Sequence, residues 1–216
     1  MPKNVIAVKG VPRELYQKVK AAAASLGIPV GKAVTEALEL WLSARADRRV
    51  TELKRQLMEY LDNIVESSSS ILKERLFFRI YKQVLAGKKR CLVAHDIIVN
   101  AIVKKDPACS MVVRELIVGR SNLLISSLSV VLACDELIKN RLGDYAEKLV
   151  LSLPGENLLV LDWKTFVNAI NLSKLIDIDF QCSIIIAHAK LYDINTILSS
   201  NKAFDKTNLL RVDPLS

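Results

Sequence analysis

The pattern of apolar and polar positions divides the N-terminal part of the chain into three short elements. Residues 3–9 alternate in the way a strand does, and Gly10-Val11-Pro12 ends that strand. Apolar residues recur at helical spacing from Arg13, and Gly27 favours the left-handed end of this helix. A second helix is predicted from about Lys32 through Leu42. One strand and two short helices cannot enclose a core, so this segment requires a second copy whose strand pairs with it.

Beyond Cys91 the pattern changes to short apolar strands that alternate with helices. The predicted strands are 91–94, 123–125, 158–161 and 196–198, and the predicted helices are 106–119, 129–153, 163–175 and 180–192. This alternation is typical of a parallel sheet with helices on both faces, so the fold class is predicted to be α/β overall. Ligands of such sheets bind at the carboxyl ends of the strands.

Composition narrows the function classes. Residues 1–90 hold 18 Lys and Arg against 9 Asp and Glu, whereas residues 91–216 hold 13 against 14. A basic first part indicates a polyanionic partner for that part. The longest uncharged stretch has 14 residues, which is too short for a membrane span, and we find no secretion signal. We therefore expect a cytoplasmic protein with no membrane partner.

The four cysteines give no sign of a metal site or a disulfide framework. They are far apart in the sequence and form no C-x-x-C pair. In a cytoplasmic chain such cysteines are typically small buried apolar residues. They are Cys91, Cys109, Cys134 and Cys182.

Residues 8–42, VKGVPRELYQKVKAAAASLGIPVGKAVTEALELWL, resemble the ribbon-helix-helix antitoxins, whose strand ends in V-R-x-L-P. The resemblance implies that residues 1–45 form a mostly α-helical dimeric module whose two-stranded ribbon enters the major groove of double-stranded DNA. It implies that the residues facing the bases are Lys3, Val5, Ala7 and Lys9. It also implies a phosphate contact at the start of the second helix, at Gly31 and Lys32.

This ribbon departs from the family in its capacity to read bases. Val5 and Ala7 can contact a thymine methyl group but donate no hydrogen bond. We therefore expect modest base specificity that depends on Lys9, with phosphate contacts supplying most of the affinity.

Residues 46–90 are predicted to be a basic helical connector interrupted by the four serines 67–70, which favour a hinge. Two interpretations stay open. In one, the connector carries the dimer or packs on the C-terminal domain, as the segment after the DNA-binding module of an antitoxin wraps its toxin. In the other, its basic side chains extend the DNA contact. Those side chains are Arg48, Arg49, Lys54, Arg55, Lys88, Lys89 and Arg90.

Residues 91–216 resemble the PIN-domain nucleases, the toxin partners of such antitoxins. The resemblance lies in LVAHDIIVNAI (92–102), ISSLSVVLACDEL (125–137), DFQCSIIIAHAK (179–190) and ILSSNKAFD (197–205). It implies that acidic side chains at the strand ends would hold one or two divalent ions. Here three of the corresponding positions hold Ala94, Cys182 and Asn201, which are poor ligands for magnesium. The fourth position falls near Leu132.

The sequence thus predicts a DNA-binding homodimer, either a transcriptional regulator or a nucleoid-architectural protein. Its C-terminal PIN-like domain would be catalytically inactive, without cofactor, and would serve higher oligomerisation or partner binding. The alternative is an endoribonuclease dependent on Mg or Mn and regulated by its fused antitoxin-like module. In that case a shifted alignment would place the metal on Asp96 and Glu136, helped by Asp179 or Asp205. The isolated histidines, His95 and His188, are not expected to be catalytic.

Overall fold

The computed structural model describes residues 10–68 and 89–215. It divides into two compact units, Met1–Arg49 and Val50–Ser216. The predicted ribbon and residues 69–88 of the connector lie outside the described residues. The predicted boundaries after residues 45 and 90 stay a prediction.

The first unit contains a helical pair. Helix α1 spans Arg13–Ser25 and helix α2 spans Val30–Ser67. Gly27 between them has a φ of +67°, a left-handed conformation that glycine adopts without the strain of a Cβ atom. The prediction that the second helix ends near Leu42 is wrong, because α2 is 38 residues long and ends at Ser67. No glycine or proline interrupts it between Gly31 and Ser67.

The second unit is built on a parallel sheet, which confirms the α/β fold class. Its strands are β1 (Cys91–Val93), β2 (Leu123–Ser126), β3 (Leu158–Leu159), β4 (Thr196–Leu198) and β5 (Leu210–Val212). The strand order is β3-β2-β1-β4-β5, and every pair is parallel. Strand β5 was not predicted, since its three residues Leu-Arg-Val carry little strand pattern and Leu210 is 65% exposed.

Helices connect the strands and bury both faces of the sheet. They are α3 (His95–Ile102), α4 (Pro107–Val118), α5 (Ser127–Lys139), α6 (Gly143–Ser152), α7 (Trp163–Leu175) and α8 (Phe180–Leu191). One apolar cluster joins β1 and β2 to α3, α4, α5 and α6, and another joins the sheet to α7 and α8. The single helix predicted over 129–153 is wrong. It is broken at Arg141, whose φ is +62°.

The C-terminal half of α2 belongs to the core of the second unit. Leu57 and Leu61 are fully buried in the cluster that contains α4 and α6. The Tyr60 hydroxyl donates a hydrogen bond to the Ile102 carbonyl at 2.8 Å, and the Tyr60 and Tyr145 rings are 4.6 Å apart. Within the part of the chain that the structure describes, no helix is long and apolar enough to cross a membrane.

Candidate functional site

A polar cavity of about 340 Å³ lies at the carboxyl ends of strands β1 and β4. Asp96 enters it from the first turn of α3, directly after β1, and Ser200 enters it from the loop after β4. Asp135 and Glu136 line it from α5. The fold therefore brings the predicted pair Asp96 and Glu136 to one cavity, at the edge where α/β proteins bind ligands.

The carboxylate of Asp96 is occupied by hydrogen bonds from the loop after β4. The Ser200 amide donates to it at 2.6 Å and the Ser200 hydroxyl at 2.7 Å. The Ser199 hydroxyl lies 3.0 Å and 3.1 Å from the two carboxylate oxygens. Arg211 on β5 donates to the Ser199 carbonyl at 3.2 Å, so the same loop is held from both sides. Asp96 thus acts as a structural acceptor that ties α3 to β4.

The other predicted acids do not join Asp96. Asp179 caps α8 by accepting a hydrogen bond from the Cys182 amide at 2.8 Å. Burial raises the pKa of Asp179, but hydrogen bonds from Cys182 outweigh it and hold that pKa below its ordinary value. Asp205 is paired with the Arg211 guanidinium at 2.6 Å and 3.1 Å, which lowers its pKa. Neither acid lines the cavity.

The positions that correspond to the missing family acids form a local contact of their own. Ala94 is buried and its amide donates to the Leu198 carbonyl at 3.0 Å. The Asn201 side-chain amide donates to the Cys182 sulfur at 3.6 Å, and its carbonyl accepts from the Ala203 amide. Burial, the main cause, and the nearby Asp179 raise the pKa of the Cys182 thiol to about 12. A protonated, buried thiol is no ligand for a hard divalent ion.

These contacts do not fit the metal site that the PIN resemblance implies. Within residues 10–68 and 89–215, no three His, Cys, Asp or Glu side chains form a group that could hold a metal ion. In the cavity, Asp135 is paired with Lys139 at 2.6 Å. Asp96, Asp135, Asp179 and Asp205 are therefore engaged as a loop anchor, ion pairs and a cap, whereas the Glu136 carboxylate accepts a long hydrogen bond of 3.4 Å from Asn140.

Ser126 and His188 form a buried pair that was not predicted from the sequence. Ser126 ends β2, and its hydroxyl lies 2.9 Å from Nδ1 of His188 on α8. Both side chains are fully buried. Burial lowers the pKa of His188, which keeps the ring neutral. The two residues are 62 positions apart, so no local pattern could have joined them.

The predicted DNA-contacting residues are described only in part. Lys3, Val5, Ala7 and Lys9 lie outside the described residues. Gly31 and Lys32 lie in the first turn of α2, and their contact with phosphate stays a prediction. The space beside Gly31 is open, with no atom within 4 Å of a Cβ position. However, the Lys32 amide already donates to the Pro29 carbonyl at 2.9 Å, and Lys32 Nζ lies 4.0 Å from Glu36.

The basic residues of the connector differ in their availability. Arg48 and Arg49 are exposed, whereas Lys54 is half-buried. Arg55 donates to Glu52 at 2.6 Å and 3.0 Å and also to Glu59. The hydrogen bond from Arg55 is the main cause that lowers the pKa of Glu52 to about 2.

The contacts of this part of α2 favour one of the two interpretations of the connector. The helix buries Leu57, Leu61 and Ile64, and Asp62 accepts a hydrogen bond from Arg114 at 2.6 Å. These contacts favour the packing role of the segment up to Ser68. Lys88 lies outside the described residues, and Lys89 and Arg90 are exposed.

No protein-family model matches the chain, and no curated protein matches it. One solved structure similar to this chain is the crystal structure of VapBC2 from Rickettsia felis bound to a DNA fragment from their promoter. The similarity covers 57% of this chain and 97% of that chain, with 17% sequence identity and a TM-score of 0.45.

Proposed function

We propose that the chain is a DNA-binding homodimer that regulates transcription, and that its C-terminal α/β domain serves self-association rather than catalysis. The observation that carries this proposal is the exposed apolar surface of the helices in the first unit. Among residues 10–49 only Ala23 is buried. Six large apolar side chains there are more than half exposed, namely Leu15, Leu26, Leu38, Leu40, Trp41 and Leu42.

Such a surface requires a partner. Burying one large apolar side chain contributes about 1.5–3 kcal/mol, so leaving these six side chains in water forgoes a large stabilisation. A second copy of the same unit supplies a matching apolar surface and also the pairing strand that residues 3–9 require. This supports the dimer that the ribbon-helix-helix resemblance implies.

Charge supports DNA as the ligand of this dimer. The excess of Lys and Arg is confined to residues 1–90, at 18 against 9 acidic residues. A dimer doubles this excess in one assembly, which favours a polyanion that presents regularly spaced phosphates. The modest base specificity expected of the ribbon is compatible with two forms of the proposal. One is a regulator that binds discrete operators, and the other is a nucleoid-associated architectural protein.

The contacts of the acidic side chains support a C-terminal domain that does not catalyse a reaction. The carboxylate of Asp96 is held by Ser199 and Ser200, and Asp205 is held by Arg211. Water activation by a divalent ion needs several free oxygen ligands at one point. Here these side chains stabilise the protein's own loops.

One observation favours the alternative, a nuclease that requires Mg or Mn. Asp96, Asp135 and Glu136 line the same cavity. Calorimetric titration of the metal-free protein with manganese separates the two functions. We expect no binding. Micromolar affinity that is lost in Asp96→Ala or Glu136→Ala would support the nuclease and contradict the inactive domain.

The proposal is tested by footprinting the full chain on fragments of its own genome. Protection at discrete sites supports a regulator, and uniform coverage supports an architectural protein. Absence of protection at low salt, where phosphate contacts are strongest, would overturn the DNA-binding function.

A further inference from the structure

Helix α7 carries an apolar stripe that faces solvent. Trp163 is 79% exposed, and Val167 and Ile170 are each 40% exposed. Lys174, one turn further on, is exposed as well. These four positions are separated by four, three and four residues, a spacing that places them on one face of a helix. We infer that two copies of the C-terminal domain associate through this face, with their α7 helices packed antiparallel about a two-fold axis.

The opposite face of α7 is already used by its own domain. Ala169 and Leu172 are buried in the cluster shared with α8. Asp162 fixes the start of the helix by accepting hydrogen bonds from the Thr165 amide at 2.7 Å and the Thr165 hydroxyl at 2.6 Å. The exposed stripe therefore lies on a helix that is held in place by its own domain.

A second copy fits the stripe, because the residues of the stripe complement themselves when the helix is reversed. The four–three–four spacing reads the same in both directions, which is what an isologous antiparallel contact requires. Pairing about the midpoint between residues 168 and 169 sets Val167 opposite Ile170 of the second copy. The same pairing sets Trp163 opposite Lys174. An aliphatic pair at the centre is then flanked by an ammonium group over an indole ring, a favourable cation–π contact.

This arrangement also keeps like charges apart. In the antiparallel register each Lys174 meets an aromatic ring and not the second Lys174. A parallel arrangement would place the two lysines side by side, at a cost in repulsion. The sequence of the stripe thus favours one orientation of the two copies.

The inference rests on the proposed role of the C-terminal domain in self-association, and it adds a consequence for that role. The chain would have two self-association surfaces, one in the first unit and one on α7. If both contacts join the same two copies, the assembly closes as a dimer. If they join different copies, the assembly extends as an open array, the form that an architectural protein requires.

Crosslinking of the full chain tests the inference. Cys134→Ser first removes the one partly exposed thiol among the four cysteines, since Cys91, Cys109 and Cys182 are buried. Val167→Cys is then added, and the protein is treated with a short bismaleimide in the absence of DNA. We expect covalent dimers, because Val167 lies within one turn of its own symmetry mate in the proposed register. Adding Ile170→Glu should abolish them.

Ile138→Cys in the same background is the matched control. Ile138 is 61% exposed on α5, so its thiol is at least as accessible, and we expect no covalent dimer from it. Equal yields from both thiols, or no product from Val167→Cys, would overturn the inference. Unchanged circular dichroism spectra establish that each variant is folded.

Measuring DNA retention on the same proteins separates the two proposals. Crosslinking through Val167→Cys by a chain that binds no DNA would overturn the proposed function and keep the α7 contact. DNA binding without crosslinking would overturn the α7 contact alone.

Discussion

The carboxylate of Asp96 accepts two hydrogen bonds from Ser200, one from its amide at 2.6 Å and one from its hydroxyl at 2.7 Å. The two residues are 104 positions apart in the sequence. Their contact joins the carboxyl ends of the neighbouring strands β1 and β4. Asp96, a candidate metal ligand of the alternative function, thus stabilises the loop after β4.

Replacing Asp96 by Asn should destabilise the metal-free protein. The variant loses charge-assisted hydrogen bonds and leaves donors of Ser200 poorly satisfied, at a cost of about 1–3 kcal/mol in the free energy of unfolding. Urea unfolding in the presence of EDTA measures this change. The control is Asp135→Asn, whose exposed ion pair with Lys139 should contribute less than about 1 kcal/mol. If Asp96 were instead one of several clustered metal ligands, its replacement would relieve repulsion and stabilise the metal-free protein.

His188 should make the stability of the protein depend on pH. Burial lowers the pKa of His188 in the folded state, whereas the unfolded chain has the ordinary histidine value of about 6.5. Below that pH the unfolded state takes up a proton that the folded state resists. The contribution of His188 is therefore fully present above about pH 6.5 and falls as the pH decreases, by at most about 1.4 kcal/mol per pH unit.

The measurement is denaturant unfolding between pH 5 and 8, values chosen around the titration range of histidine. His188→Gln should reduce the slope below neutral pH, and His95→Gln should leave the contribution of His188 in place. A slope unaffected by His188→Gln would contradict the assignment.

The proposed dimer predicts a specific effect of Leu38→Glu. Leu38 is 55% exposed in the first unit, and a carboxylate there would be buried between two copies. Losing the burial of one leucine per copy, worth about 1.5–3 kcal/mol each, should raise the dimer dissociation constant by more than about tenfold. Sedimentation equilibrium measures the constant. Val118→Glu, also at an exposed position (55%) but on α4, should leave it unchanged.

Arg48 and Arg55 form a matched pair for testing whether α2 contacts DNA. Arg55 is engaged by Glu52 and Glu59, so Arg55→Ala should leave the salt dependence of DNA binding unchanged. Arg48 is exposed, and Arg48→Ala should reduce the slope of log affinity against log salt by about 1 if it neutralises a phosphate. Equal slopes for the wild type and both variants would exclude Arg48 from the DNA contact.

Lys9→Ala should flatten the preference of the protein among DNA sequences. Lys9 is the one predicted groove-facing residue in the second half of the ribbon that can donate a hydrogen bond to a base. Selection from a randomised DNA pool compares the wild type with the variant. Discrimination that survives the change would contradict the assignment of residues 3–9 as the ribbon.

Most of the elements of the second unit could be predicted because their signals are local. The apolar runs at 91–94, 123–125, 158–161 and 196–198 all contain strands, and the helix predicted over 106–119 is observed as α4. Strand β5 escaped prediction because the pairing of Leu210–Val212 with β4, and not its own composition, makes it a strand. Gly143, the first residue of α6, indicates the break between α5 and α6. The break was missed because the apolar pattern over 129–153 is continuous.

The candidate site could be located but not interpreted from the sequence. Asp96 and Glu136 were named as candidate ligands from a shifted alignment to the PIN-domain nucleases, whose acids lie at the strand ends. Their partners could not be expected, since Ser199 and Ser200 are more than 100 residues from Asp96. No pattern in the sequence indicates which hydroxyl donates to which carboxylate, because only the fold brings the two side chains together.

The position of β1 in the sheet has a consequence for synthesis on the ribosome. Cys91 pairs with Leu123 on one side and with Thr196 on the other. One edge of this central strand therefore stays unpaired until the segment that contains β4 has emerged from the ribosome. The first unit is complete after Arg49. If the chain forms the proposed homodimer, nascent chains on neighbouring ribosomes of one message would pair through their N-terminal segments before either has closed its sheet. Homodimers would then form preferentially between products of the same transcript.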